Sequence, residues 1–385
     1  MESKENGRGM GMYIHIPFCV QKCVYCDFLS APASRQIQHQ YIEALKQEIF
    51  KESKQYINRT IKTIFFGGGT PSLLEAEEIE ALLNCIREQY CLDSAAEITL
   101  ELNPKTASYK KLQKLRKAGV NRLSIGVQSA NNEELQRLGR IHSYEDFLQT
   151  YTWARAAGFD NINIDLMCAL PGQTLISWRQ TLQQVLALRP EHISAYSLII
   201  EEGTHLYDKL EEYPSVPDED IDRQMYQETK SLLAACGFCR YEISNYARAG
   251  YACKHNEIYW QRGIRHISDF VGFGLGASST VECKRWSNTE DMRTYLEEYP
   301  AIKTQVQQLS QRDQMEEFMF LGLRMMCGVS KQEFLESFGI SMDVIYGGIL
   351  QKWIARGMLM QQGDYILLTD AGIDVSNVVF ADFLL

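Results

Sequence analysis

Nothing in the 385-residue chain approaches the apolar length needed to span a bilayer, and its first ten residues are polar and glycine-rich, without a signal-peptide core. Both absences argue against a secreted or membrane-embedded protein, and a cytoplasmic one is expected. Positive charge is short as well: 39 Lys and Arg against 49 Asp and Glu give a net charge of −10. An extended phosphate-binding surface, and with it a nucleic-acid partner, is therefore not expected. Cysteine is plentiful at eleven, but the odd count and the lack of a secretory segment speak against a disulfide framework. No two Cys-x2-Cys pairs stand at zinc-ribbon spacing. Cys236 and Cys239 do form such a pair, where a helix end runs into a strand and Gly237 fits a turn, so unreactive core cysteine is the expected reading. The 45% hydrophobic content is ordinary for a soluble globular protein, and the length suits one large domain plus a smaller one.

The most informative segment is Cys19-Val20-Gln21-Lys22-Cys23-Val24-Tyr25-Cys26, directly after the apolar run Met12–Phe18. Three thiolates can hold three corners of a cubane iron–sulfur cluster and leave one iron open to a small molecule. The Cys-x3-Cys-x2-Cys spacing resembles the signature of the radical S-adenosylmethionine (SAM) enzymes. That resemblance implies a 4Fe-4S cluster on Cys19, Cys23 and Cys26. Its open iron would chelate the amino and carboxylate groups of SAM, and electron transfer would cleave the sulfonium to a 5′-deoxyadenosyl radical.

Strands are expected at 12–18, 63–69, 97–104, 122–129, 161–168 and 192–199, alternating with amphipathic helices at 39–54, 75–90, 108–118, 143–157 and 175–188. Six strands joined by right-handed crossovers predict an α/β fold with a helix-covered parallel sheet. Six do not complete an eight-stranded barrel, so a partial, open parallel β/α barrel is expected, with functional residues at the carboxyl ends of its strands. Gly272–Ser279 reads as close packing or a loop near the active face, and it lacks the fingerprint of dinucleotide binding. Helices are expected at 315–326, 331–338 and 343–356, then a short strand at 365–369 and a helical tail. The expected domains are 1–300 and 301–385, divided within 295–307, where Pro300 is a natural break.

Several ordered motifs belong together: Tyr13–Cys19, Phe66–Ser72 with its three glycines, Arg122–Ser129, Asp165–Met167, Leu170–Thr174 and Tyr241–Asn245. The set resembles the oxygen-independent coproporphyrinogen III dehydrogenases (HemN) and their relatives, the HemW-type heme chaperones, from about Met12 to the C-terminus. The family's small, mostly helical, winged-helix-like C-terminal domain is implied for the last segment. By position, Tyr13, Tyr25, Gly68, Gly69, Thr70, Glu101, Gln128, Arg140 and Asp165 would line the SAM site. Arg140 suits the SAM carboxylate, and Asp165 or Gln128 a ribose hydroxyl.

Three features divide the two branches. The dehydrogenases carry a fourth cysteine two positions beyond the third, where this chain has Phe28. They also carry a substantial N-terminal extension, whereas twelve residues precede Tyr13 here. Finally, His255-Asn256-Glu257-Ile258-Tyr259-Trp260 matches the His-Asn-x-x-Tyr-Trp motif of the chaperone branch, proposed there to bind heme. On a helix His255 and Tyr259 share a face, and imidazole is a common axial ligand of heme iron. The alternatives are that His255 and Asn256 only hydrogen-bond in a polar turn, or that Cys253 supplies a thiolate. The resemblance implies a cytoplasmic chaperone that delivers heme to client hemoproteins, using a 4Fe-4S cluster and SAM, without coproporphyrinogen oxidase activity. The alternative is the enzyme itself. A dimer is compatible with the sequence, which does not encode the oligomeric state.

Overall fold

The computed structural model describes residues 9–297 and 303–385. Its first half runs β1 (Gly9–Ile16), α1 (Arg35–Glu52), β2 (Thr60–Gly68), α2 (Ala76–Gln89), β3 (Cys91–Leu102), α3 (Tyr109–Ala118) and β4 (Arg122–Gln128). There follow α4 (Asn132–Arg137), α5 (Tyr144–Ala156), β5 (Ile162–Cys168), α6 (Leu175–Ala187) and β6 (His192–Ser197). Polar caps set the helix starts. The Ser34 side chain accepts from the Ile37 amide, so α1 begins about a turn before the expected His39. Capping boxes pair Ser143 with Asp146 on α5 and Thr174 with Ser177 on α6. β3 begins at Cys91 rather than Glu97, because Cys91 and Leu92 already pair with Thr60 and Ile61 ahead of a register shift.

Beyond β6 lie α7 (His205–Asp208), α8 (Glu219–Ala235), β7 (Cys239–Glu242), β8 (Asn245–Ala247) and α9 (Lys254–Trp260). Then come β9 (Phe270–Phe273), β10 (Ser278–Val281), β11 (Lys284–Asn288), α10 (Met292–Glu297) and β12 (Lys303–Gln308). The twelve strands form one sheet in the order β12-β11-β10-β9-β1-β2-β3-β4-β5-β6-β8-β7. The sheet ends on β12 and β7, so the barrel is open. β9 pairs with β1 in parallel, so the parallel body has seven strands where the sequence predicted six. Gly272 in β9 serves close packing: a Cβ there would stand 2.4 Å from the Ser278 carbonyl oxygen.

The two faces of the parallel sheet differ in chemistry. Met12, Ile14, Ile64, Phe66, Leu100, Ile125, Ile164 and Ile193 join the core with Leu45, Leu82, Leu115, Phe147 and Trp178 of the covering helices. The residues between them project to the other face, as the strand period of two requires. These are Tyr13 and His15, Thr63, Glu97 and Glu101, Arg122 and Ser124, Asn163 and Asp165, and His192 and Ser194. The lumen of the open barrel is thus lined with polar groups.

The C-terminal unit comprises α11 (Gln311–Gly322), β13 (Val329–Ser330), α12 (Lys331–Phe338), α13 (Met342–Ala355), β14 (Leu359–Gln362), β15 (Tyr365–Leu368), α14 (Asp370–Asp374) and α15 (Ser376–Ala381). Helices α11, α12 and α13 and a three-stranded sheet, ordered β13-β15-β14, give the winged-helix-like form around a second core of Phe318, Phe334, Tyr346, Trp353 and Ile366. The sequence predicts only β15 of these strands, since β14 is mostly exposed and β13 is two residues long. The expected break at Pro300 lies outside the described residues. β12 still pairs with β11, so the second unit begins after it.

Candidate functional site

Backbone hydrogen bonds shape the cysteine loop that leaves β1. Cys19 N–H donates to Ala31 O at 3.3 Å, Val24 N–H to Leu138 O at 3.2 Å, and Leu206 N–H to Val24 O at 2.8 Å. The loop is therefore held at the carboxyl end of the sheet by three separate segments. Cys19, Cys23 and Cys26 are all free, partly exposed thiols. Among the described residues no three metal-binding side chains converge on a single ion. A cubane needs no such convergence, because each thiolate takes its own iron. Phe28 occupies the fourth-cysteine position with 68% of its surface exposed, so no thiol is offered there.

Around this loop the structure gathers most of the expected SAM residues. Cys23, Thr70, Asn103, Gly139 and Arg140 line one small cleft. The Arg140 guanidinium donates to Asn103 Oδ1, to the Gly126 carbonyl and, at 3.6 Å, to Cys23 Sγ, while its buried Nε has no partner. Asn103 in turn donates to Thr70 Oγ1 at 2.8 Å. The glycines act through the backbone. Gly68, at φ +106°, donates its N–H to Glu101 at 3.1 Å, and a Cβ on it would strike the His15 ring. Gly69 lies against the Phe18 and Ile16 backbone, where an added Cβ would be 2.6 Å from the Phe18 carbonyl oxygen. Tyr25 is beside Arg140, and burial pushes its phenol pKa up.

Deeper in the lumen, burial and the nearby Asp165 push the Glu101 carboxyl up to about 8, against the relief given by the Gly68 amide. Asp165 accepts from Ser124 at 3.1 Å and from Asn163 at 2.7 Å, and burial raises it too. Gln128 holds a left-handed φ of +72°, uncommon for a side-chain-bearing residue, and accepts from the Tyr196 hydroxyl at 3.2 Å. Such backbone strain gathers at functional sites. The cysteines, the orphaned buried guanidinium nitrogen and the adjoining buried carboxyls fit a cluster with a polar, zwitterionic ligand beside it.

His255 and Tyr259 lie elsewhere, on α9 beneath the lumen. Both His255 ring nitrogens are engaged, Nδ1 with Thr63 Oγ1 at 2.7 Å and Nε2 with the Tyr259 hydroxyl at 2.8 Å. The ring stacks on Phe65 at 5.1 Å and approaches Tyr13 at 6.5 Å. Burial, then the charge of Arg122, pushes His255 down to about 3, so it is neutral. Cys253 is buried and its thiol pushed up to about 12, chiefly by desolvation, which keeps it protonated. Glu97 accepts from the Cys253 thiol and from the amides of Lys254 and His255. Sequence reasoning singled out neither Glu97 nor Arg122, Asn163, His192 and Tyr196 as site residues. The available signal was a polar residue at every second position of otherwise apolar strands.

The radical SAM superfamily model matches residues 13–185, and the HemN C-terminal domain model matches 309–375. The heme chaperone HemW of Bacillus subtilis (strain 168) is 37% identical over 379 residues, 97% of this chain and 98% of that protein. Its counterpart from Escherichia coli (strain K12) is 36% identical over 382 residues, with 97% and 98% covered. The solved structure of coproporphyrinogen III oxidase (HemN) from Escherichia coli superposes with a TM-score of 0.87 over 98% of this chain and 91% of that one. Its 24% identity makes this a likeness of fold. With more than a third of its residues shared along almost the whole length of those chaperones, the chain belongs to the HemW heme chaperone family of the radical SAM superfamily.

Proposed function

We propose that this protein is a cytoplasmic heme chaperone that binds heme and passes it to client hemoproteins, with a 4Fe-4S cluster and SAM at the mouth of the barrel. The observation that carries the reading is the full-length similarity to proteins named heme chaperones. Phe28 at the fourth-cysteine position supports it against the coproporphyrinogen enzyme. Among the described residues no helix is long and apolar enough to cross a membrane.

Cys19, Cys23 and Cys26 would hold the cluster, which when bound leaves one iron to chelate SAM and can deliver an electron to its sulfonium. The chain's own residues do the positioning. Arg140 places a cation between Cys23 and Asn103, where a SAM carboxylate finds a partner for the free Nε–H. Tyr13, Tyr25, Gly68, Gly69, Thr70, Glu101, Gln128 and Asp165 enclose the rest of that ligand. Arg140→Ala is expected to weaken SAM binding about tenfold or more, since a charge-assisted hydrogen bond contributes roughly 1.5–3 kcal/mol. Calorimetry on cluster-loaded protein checks it, and unchanged affinity removes Arg140 from the site.

Heme binding in this reading depends on the α9 motif, including His255 and Tyr259. The test is an anaerobic hemin titration of cluster-reconstituted wild type beside His255→Ala, followed by transfer to an apo-hemoprotein. Saturable binding that the substitution weakens, with transfer from the wild type, is the expected result. A wild type that binds no heme, and instead converts coproporphyrinogen III in the presence of SAM and reductant, would establish the enzyme.

A further inference from the structure

Heme iron takes imidazole or sulfur ligands, and the macrocycle needs a largely apolar enclosure. The chain has seven histidines. In His15, His192 and His255 both ring nitrogens are already engaged, and His142 is buried against the Val127 carbonyl. His39 and His205 stand exposed on α1 and α7. His266, in the segment joining α9 to β9, borders two cavities of ligand size.

The larger cavity measures ≈ 440 Å³, within the range of about 300–1,000 Å³ usual for small-molecule sites. Phe318, Met325, Cys327, Val329 and Leu367 give it apolar and sulfur-bearing walls opposite the His266 segment. Its lining begins at Gln261, directly after α9 ends at Trp260, so α9 runs straight into the cavity wall. Arg324 of the C-terminal unit stacks 4.2 Å over the Trp260 ring.

A buried carboxylate orients this histidine. Glu333, near the start of α12 and almost fully buried, has its Oε2 3.4 Å from His266 Nε2, while its Oε1 accepts from the Arg265 amide at 3.0 Å. Gly263, at φ +109°, lets the segment pass: a Cβ there would lie 2.5 Å from Glu333 Oε1. A metal-ligating histidine characteristically gives its second nitrogen to a carboxylate of this kind, which sets the ring's orientation and raises its basicity. Nε2 thus lies against the Glu333 carboxylate, which leaves Nδ1 for a ligand.

We infer that heme seats in this cavity between the His266 segment and the C-terminal unit, with His266 as an axial ligand to iron and Glu333 as its positioning partner. The inference rests on the heme-chaperone reading. It also gives His255 a role at a distance: the His255–Thr63 bond ties α9 to β2, and α9 leads into the seat.

The experiment is a hemin titration of the cluster-reconstituted full chain, wild type beside His266→Ala, Glu333→Gln and His255→Ala, read by absorbance and electron paramagnetic resonance. His266→Ala is expected to lose the imidazole-ligated signature, to bind hemin about tenfold or more weakly, and to recover that signature when imidazole is added. Imidazole rescue separates a lost ligand from a misfolded seat. Glu333→Gln is expected to keep hemin but raise the ferric/ferrous potential, because the imidazole loses anionic character. His255→Ala weakens binding while the ligand signature stays. An unchanged affinity and spectrum in His266→Ala overturns the inference. So does loss of the axial signature in His255→Ala alone, and in both cases the chaperone reading stands. Only a wild type that binds no hemin removes both.

Discussion

A chain carrying Cys23→Ala is expected to retain essentially no iron–sulfur cluster after anaerobic reconstitution, where the wild type takes up about four irons. Two thiolates hold only two corners, and no fourth cysteine stands nearby to substitute, since Phe28 occupies that position. The fold should be nearly indifferent. The loop is held by the backbone bonds of Cys19, Val24 and Leu206, none of which uses the Cys23 side chain. A partly exposed side chain free of core packing costs within about 0.5 kcal/mol to truncate. Iron and sulfide assays, with circular dichroism as the control, make the measurement. Full iron content in the variant would dismiss the triplet as the cluster site.

Removing Glu97 is expected to give the largest loss of stability. Its buried carboxylate accepts two amides and a thiol from the first turn of α9, and it faces the wholly buried Arg122. Arg122 makes no side-chain hydrogen bond among the described residues, and its Nε is buried without a partner. Glu97→Ala would leave the α9 donors orphaned and the guanidinium without its neighbouring carboxylate. Orphaning donors at this buried site costs about 1–3 kcal/mol each, and the loss of negative charge facing Arg122 adds to it. The double variant Glu97→Ala/Arg122→Met should recover part of that loss, because it removes the buried charge while the amides stay unpaired. Chemical denaturation of all three proteins gives the coupling, and a single variant within about 0.5 kcal/mol of wild type would refute the argument. Hemin affinity should fall together with stability, since α9 leads to the proposed seat.

The physics of the lumen explains why these effects differ so much. At the mouth, side chains are partly wet and the backbone carries the geometry, so a cysteine can be lost without structural consequence. At the floor, polar groups depend on one another in chains: His192 donates to Asn163 at 2.6 Å and lies 2.9 Å from the Tyr241 hydroxyl, which accepts from the Cys253 amide at 3.2 Å. With water excluded, one missing partner exposes its neighbour to the full desolvation cost.

The sequence by itself determined the elements and the chemistry that sits on them. The cysteine spacing, the period of each strand and helix, the open parallel sheet and the family resemblance were legible because each depends on residues close together in the chain. For that reason the six leading strands lie close to their expected limits, apart from the early start of β3 at Cys91, and the cysteine loop follows the first of them. β9 was hidden because its four residues become a strand only by pairing with β1, more than two hundred residues away. β14 was hidden because its exposed face carries no apolar alternation. Only the tertiary structure decided that His255 has both nitrogens engaged beneath the lumen, that Glu97 caps its helix, and that His266 meets a buried carboxylate beside an apolar cavity. Hydrogen-bond satisfaction and burial belong to pairs of residues distant in sequence, so no local pattern can state them.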